Sequence, residues 1–184
     1  MTEAAPFYHR INNQLGTMPK TKTTTLPSRT RKQPSIQQPD IQDTFIREAR
    51  VNYLHCDHEM FRITSPADVA NFVRSILTDN SREHFVALYL NASHQVAAYS
   101  IVSIGTANSA PVAPREIFQR AILTGAISIV VAHNHPSGTI TPSDEDHKVT
   151  KRLFESGLLL GIKLLDHVIV TDSHHYSFSD NGAL

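Results

Sequence analysis

Residues 126–146 read AISIVVAHNHPSGTITPSDED. Its first eight residues are mostly apolar and rich in Ile and Val, which is typical of a buried strand. The Pro-Ser-Gly run at 136–138 breaks the strand, and Pro142 with Ser143 is a favourable start for a helix. The stretch therefore predicts a strand, a polar turn and a helix, with two histidines at the end of the strand.

Helical and strand-like patterns alternate on both sides of this stretch. Ser65, Pro66 and Asp68 form an N-cap, a first helical residue and a capping-box partner, and apolar residues then recur at helical spacing. Helices are predicted at 65–77 and 113–125 and from 144 to an end near Gly157 or Gly161, and strands at 83–90, 95–105, 126–133, 162–172 and 174–180. A further edge strand is predicted at 44–55. One strand pair is a hairpin, so an α/β (α+β) fold with a mixed sheet covered by helices is expected.

Composition restricts the class of protein. The chain has 184 residues, of which 40% are hydrophobic and 18% charged, as in one globular domain with room for a tail. Cys56 is the single cysteine, so no intrachain disulfide can form, which fits a reducing, cytoplasmic setting. No apolar signal-peptide core and no run of membrane length is visible, so no membrane partner is expected.

The N-terminal segment differs from the rest in composition and charge. Residues 1–39 hold six basic residues and one acidic residue, a net charge of +5, and are rich in Thr, Pro, Gln and Lys. Such a segment buries too little apolar surface to offset its ordering entropy and is predicted to be disordered. We divide the chain into a tail (1–40), an extension (41–63) and a folded domain (64–184). The tail is a solvated linker or a weak, sequence-independent contact for nucleic acid.

The histidines at the end of the predicted strand could bind a metal ion. His133 and His135 are two residues apart, so both imidazoles project from one face of the strand. Asp146, in the first turn of the next helix, could fold back towards them. Two nitrogens and a carboxylate oxygen are a ligand set that catalytic zinc uses. A structural alternative stays open, because Ser143 and Asp146 are also spaced as a capping box and the chain has eleven histidines.

The whole string favours the metal site. His-x-His-Pro, seven residues between His135 and Ser143, and then Ser-x-x-Asp resemble the JAMM (JAB/MPN-type) metalloprotease motif. HNHPSG is similar to the RadC-like branch of that family, as are PREIFQRAI before the motif and LLDHVIV and YSF after it. The resemblance runs from about residue 64 to the C-terminus, roughly two thirds of the chain. The contiguous letters HNH do not indicate the nuclease of that name, whose three residues are spread over a longer motif.

The resemblance implies a JAB/MPN-like fold with a largely antiparallel sheet and a single zinc ion per chain. His133, His135 and Asp146 would be its ligands. Glu83, which opens the predicted strand 50 residues before His133, matches the glutamate that takes a proton from the zinc-bound water. Ser143 would donate a hydrogen bond to the developing oxyanion. The implied activity is zinc-dependent hydrolysis of a peptide or isopeptide bond in a peptide or protein substrate.

Other polar residues near the motif are weaker candidates. Glu116, at a helix start, and Glu145, expected to face solvent, are rivals for the glutamate role. Asn134 points to the opposite strand face and is not expected to be a ligand. His147 is interpreted as helix surface, and His167 as a core residue or a partner of the ligands. The HCDH stretch at 55–58 has no companion cysteine pair, so a second metal site is not favoured there.

Two further hypotheses belong to other classes of function. RadC-like proteins carry a DNA-repair label, and longer members have a helix-hairpin-helix region before this domain, so a non-catalytic nucleic-acid module is the alternative. The N-terminal third of this sequence lacks the apolar helices of such a region, which weakens that alternative. The other hypothesis is a metal-binding scaffold that no longer turns over a substrate, although its Glu-His-His-Ser-Asp set is intact.

Overall fold

The computed structural model describes residues 52, 54, 56, 58–105 and 112–184. Within these ranges the chain forms three helices and five strands: α1 (Pro66–Ile76), β1 (Glu83–Leu90), β2 (Val96–Gly105), α2 (Pro114–Leu123), β3 (Ser128–Asn134), α3 (Asp144–Leu160), β4 (Lys163–Val170) and β5 (His175–Ser177). These elements confirm the helices and strands predicted from residue 65 onwards. The predicted tail, all of the predicted edge strand except residues 52 and 54, and most of the extension lie outside the described residues.

The five strands form one mixed sheet in the order β2-β1-β3-β4-β5. β1 is antiparallel to both β2 and β3, and β4 is antiparallel to β5. Only β3 and β4 run parallel among these pairs, because α3 connects them as a crossover. The sheet is therefore mixed and largely antiparallel, as expected.

Apolar side chains cover both faces of the sheet. Successive strand residues point to opposite faces, so β1 sends Val86 and Leu88 to the cluster under α1, and Phe85 and Ala87 to the cluster under α2 and α3. His133 lies opposite Phe85 in the β1–β3 pairing, so it shares the face of α2 and α3. This register places the histidine at the polar end of an apolar face, next to the start of α3.

The start of α1 confirms the predicted capping box. The Ser65 hydroxyl accepts a hydrogen bond from the backbone N–H of Asp68, and the Asp68 carboxylate accepts bonds from the backbone N–H groups of Ser65 and Thr64. These bonds satisfy N–H groups that a helix start otherwise leaves without partners.

No helix in the described ranges has the length and apolar composition needed to cross a membrane.

Gly157 marks a close approach between α3 and the chain that enters β4. A Cβ atom at this position would lie 2.4 Å from the carbonyl oxygen of Ile162 and 3.4 Å from the Phe118 ring. The helix continues past Gly157 and ends at Gly161, whose φ of 71° is left-handed. Of the two glycines at which the sequence placed the helix end, Gly161 is the one that terminates it.

Substituting Gly157→Ala should destabilise the protein, although alanine favours helices. We expect the free energy of unfolding to fall by about 1–3 kcal/mol, because the added methyl group must push backbone aside. Urea unfolding would measure this. Leu159→Ala, in the same helix at a side chain that is 89% exposed, is the control and should change stability by no more than about 0.5 kcal/mol. Equal effects of the two substitutions would contradict the close approach.

Candidate metal centre

His133 and His135 meet at the end of β3. His133 is fully buried and stacks on Phe85, with ring centroids 5.9 Å apart and an interplanar angle of 7°. His135 is half-buried, and its backbone N–H donates to the carbonyl of Val170 on β4. The two Nε2 atoms lie 2.9 Å apart. The strand register and the turn after it therefore direct both imidazoles to one point.

Asp146 reaches the same point from the first turn of α3. Its Oδ1 lies 3.1 Å from His133 Nε2, and its Oδ2 lies 3.7 Å from His135 Nε2. One ligand atom from each of the three residues falls within 4.8 Å of the others. His133, His135 and Asp146 thus form a group that could bind a metal ion.

The Asp146 carboxylate also completes the capping box of α3. Its Oδ2 accepts hydrogen bonds from the Ser143 backbone N–H and hydroxyl, both at 2.7 Å, and its own N–H donates to Ser143 Oγ at 3.2 Å. The structural and metal-ligand interpretations of Asp146 are therefore compatible, because Oδ2 makes the capping-box bonds while Oδ1 faces His133 Nε2. The single hydroxyl proton of Ser143 is directed at Asp146, so donation to an oxyanion would require this hydroxyl to turn.

The second ring nitrogen of His135 defines its tautomer. Nδ1 lies 2.8 Å from the carbonyl oxygen of Thr139. A carbonyl only accepts hydrogen bonds, so Nδ1 carries the proton. The neutral imidazole then has a lone pair on Nε2, the atom that faces Asp146 and His133. Metal-binding histidines commonly donate their other N–H to such a carbonyl.

The Asp146 carboxyl is ionised at neutral pH. Burial raises its pKa, but the hydrogen bond and charge of His133 and the two hydrogen bonds from Ser143 together lower it by more. The net result is a pKa well below the usual range for aspartate. The negative Asp146 carboxylate thus faces both Nε2 atoms, and its charge would favour a cation at this point.

Glu83 lies beside this group without contacting it. Phe85 pairs with His133, so Glu83, two residues earlier on β1, lies level with His135 on the same sheet face. Its side chain is half-buried. Among the described residues, none forms a hydrogen bond or ion pair with its carboxylate, and Glu83 is outside the ligand group. Its role as a base stays a prediction.

Asn134 has a role that sequence reasoning missed. Its Oδ1 accepts a hydrogen bond from the His84 N–H at 2.7 Å, and its Nδ2 donates to the Arg82 carbonyl at 2.9 Å. These two bonds hold the backbone on either side of Glu83. A polar residue at the end of a buried strand was the available signal, but its partners lie about fifty residues earlier in the chain.

The other candidates lie outside the ligand group. Glu116 is exposed and lies 3.9 Å from Arg120, and Glu145 is exposed and paired with Lys148 at 2.7 Å. His147 is exposed on α3, with its ring against Phe178. For the HCDH stretch, Cys56 is exposed, and residues 55 and 57 are outside the described ranges.

A cleft of about 210 Å³ borders His135. Its wall combines apolar side chains from β4 and from the end of α1 with polar groups from α1, β3 and the turns that follow β3 and β4. The lining residues include Val73, Leu77, Val170, Arg74, Asn134 and Asp172. Of the three candidate ligands only His135 lines this cleft, which lies on the α1 side of the sheet.

Comparison with known proteins identifies the family. The RadC-like JAB domain family matches residues 63–183. The chain therefore belongs to the RadC-like JAB domain family, as its motif indicated.

Curated relatives extend the match. A UPF0758 protein of Caldanaerobacter subterraneus is 48% identical over 124 residues, which cover 67% of this chain and 53% of the relative. The UPF0758 protein YsxA of Bacillus subtilis is 48% identical over 128 residues, covering 70% of this chain and 55% of the relative. A UPF0758 protein of Chlorobium chlorochromatii is 42% identical over 127 residues, which cover 69% of this chain and 57% of the relative. The chain spans about half the length of these relatives.

Proposed function

We propose that this protein is a zinc-dependent metallohydrolase that cleaves a peptide or isopeptide bond. The observation that carries the proposal is the convergence of His133 Nε2, His135 Nε2 and Asp146 Oδ1 at the end of β3. Three protein ligands of this kind leave one tetrahedral position open, which distinguishes catalytic zinc sites from structural ones.

The spacing of the ligand atoms suits zinc. Bonds of about 2.0–2.2 Å at tetrahedral angles place ligand atoms roughly 3.4 Å from one another. His133 Nε2 lies 2.9 Å from His135 Nε2 and 3.1 Å from Asp146 Oδ1. Small side-chain adjustments would therefore admit the ion. Imidazole nitrogens also favour zinc over magnesium or calcium, which prefer sites made of oxygen atoms.

Each remaining residue has a defined task in this proposal. A bound zinc ion would polarise the scissile carbonyl and lower the pKa of a water molecule to about 7. Glu83 accepts a proton from the attacking water and passes it to the leaving amine. Its half-buried place level with His135, held by Asn134, supports this task. Ser143 turns its hydroxyl from Asp146 to donate to the oxyanion.

The substrate in this proposal is a peptide or protein whose side chain enters the cleft beside His135. The mixed lining of the cleft supports a side chain with an apolar stem and a polar end. The cytoplasmic setting expected from the single cysteine belongs to the same proposal. Contact between nucleic acid and the basic residues of 1–39, outside the described ranges, stays a secondary proposal.

Removing the metal should abolish hydrolysis. We expect chelation to reduce cleavage of a proteome-derived peptide library at least about 100-fold, and added Zn²⁺ but not Mg²⁺ to restore it. Mass spectrometry of the library measures cleavage, and elemental analysis verifies removal of the metal. Chelator already saturated with zinc is the control and should leave cleavage intact. Full cleavage by verified metal-free protein would disprove the proposed chemistry.

A further inference from the structure

A chain of hydrogen bonds runs from the backbone of α3 to the far side of His133. The Thr150 hydroxyl donates to the carbonyl of Asp146 at 2.6 Å. The same hydroxyl lies 2.6 Å from His167 Nδ1, and His167 Nε2 lies 2.8 Å from His133 Nδ1. Thr150, His133 and His167 are buried, with His133 and His167 at 0% exposure. The hydrogen-bond chain therefore reaches His133 from inside the protein, at the ring nitrogen that does not face His135 and Asp146.

The Asp146 carbonyl, at one end of this hydrogen-bond chain, determines the donor and acceptor in every other bond. The Asp146 carbonyl can only accept, so it takes the single hydroxyl proton of Thr150. The Thr150 oxygen must then accept from His167 Nδ1–H. A neutral imidazole has one N–H, so His167 Nε2 is an acceptor, and His133 Nδ1 must be the donor. The lone pair of neutral His133 is thereby left on Nε2, the atom that lies 3.1 Å from Asp146 Oδ1.

The surroundings of His167 keep its ring neutral and fixed. The ring stacks on Phe178 with centroids 4.8 Å apart and an angle of 10°, and it contacts Phe85 at 5.5 Å. The ring is fully buried, and burial disfavours the charged imidazolium form. Its backbone N–H donates to the buried Asp166 carboxylate at 2.8 Å, which holds this part of β4 in place. The ring therefore has little freedom to turn.

We propose that Thr150 and His167 are positioning residues that hold the proton of His133 on Nδ1, so that Nε2 is ready to bind the ion. Neither residue touches the ion or the substrate. The inference rests on the proposed function for the identity of the ion, but the assignment of protons within the chain does not depend on it. Asp146 thus has two roles in this proposal. Its side chain binds the ion, and its backbone carbonyl accepts the hydrogen bond that orients Thr150, His167 and so His133.

Zinc affinity of the full chain tests the consequence for binding. Thr150→Val, which keeps the shape but removes the hydroxyl, and His167→Phe, which keeps a flat buried ring, should each weaken Zn²⁺ binding about 10–100-fold. Thr150→Ser restores the hydroxyl and should bind within about 3-fold of the unmodified protein. A competing chromogenic chelator measures these affinities. Unchanged affinity in folded Thr150→Val protein would overturn the proposal.

Nitrogen NMR of the histidine rings tests the proton positions directly. We expect protonated Nδ1 and bare Nε2 on His167, and protonated Nδ1 on His133, in the unmodified chain with and without Zn²⁺. In His167→Phe protein without metal, the His133 proton should move towards Nε2, where Asp146 accepts it. A bare Nδ1 on His133 in the unmodified protein would refute the assignment, even if a variant fails to fold. The spectra need no metal, so they can refute the proton assignment independently of whether the protein binds zinc.

Discussion

Replacing His133 by alanine should remove the metal from this protein, reducing bound zinc from about one ion per chain to nearly none. His133 Nε2 is the atom that both other ligands approach most closely, at 2.9 Å from His135 and 3.1 Å from Asp146 Oδ1. Without it, two ligands remain, and one of them is a half-buried histidine at the edge of the site. Elemental analysis of purified protein and a Zn²⁺ titration would measure the loss.

His147→Ala is a matched control for this substitution. His147 lies next to Asp146 in sequence but is exposed and outside the ligand group, so its variant should keep its zinc. Because His133 is fully buried, its removal also leaves a cavity, and circular dichroism must show that the fold survives. His135→Ala, at a half-buried position, gives the same test with less disturbance of the core. Normal zinc content in both ligand variants would exclude this site.

Replacing Glu83 by glutamine should leave zinc bound and reduce cleavage of the peptide library about 10²–10⁴-fold. Glutamine has the size of glutamate but cannot accept the proton of the attacking water. Glu83 lies outside the ligand group, so the affinity for zinc should be unchanged. With a peptide identified from the library, the loss should appear in kcat, with little change in KM.

Glu116→Gln and Glu145→Gln are controls for the assignment of the base. Both glutamates are exposed. Glu116 pairs with Arg120 and Glu145 with Lys148, and neither belongs to the candidate metal-binding group. Their variants should cleave at the normal rate. If Glu83→Gln cleaves normally and one of the others does not, the base is reassigned. If zinc is lost with Glu83→Gln, this glutamate supports the ligands instead.

The parts of the fold and site that follow local patterns were predictable. The spacing of His133 and His135 on a strand determines their common face, and the Ser143–Asp146 spacing determines a capping box. Both relations involve residues no more than three positions apart. The same holds for the start of α1, where Ser65 and Asp68 form the predicted box.

Contacts between residues far apart in the sequence could not be predicted from local patterns. Asn134 holds the start of β1 through partners about fifty residues away, and His167 meets His133 across 34 residues and Thr150 across 17. No periodicity encodes such contacts, which arise only when the strand order is established. The role proposed for Glu83 came from the family resemblance, because an isolated glutamate before a strand is most simply a solvated turn residue.

The two uses of the Asp146 carboxylate have a consequence for the zinc site that we propose. One oxygen is held by Ser143, and the histidines are held by Phe85, by the Thr139 carbonyl and by the β3–β4 pairing. None of these contacts involves an ion, so we expect newly made chains to fold and accumulate empty, unlike zinc fingers, which need metal to fold. The active fraction would then follow the supply of free zinc rather than the amount of protein made.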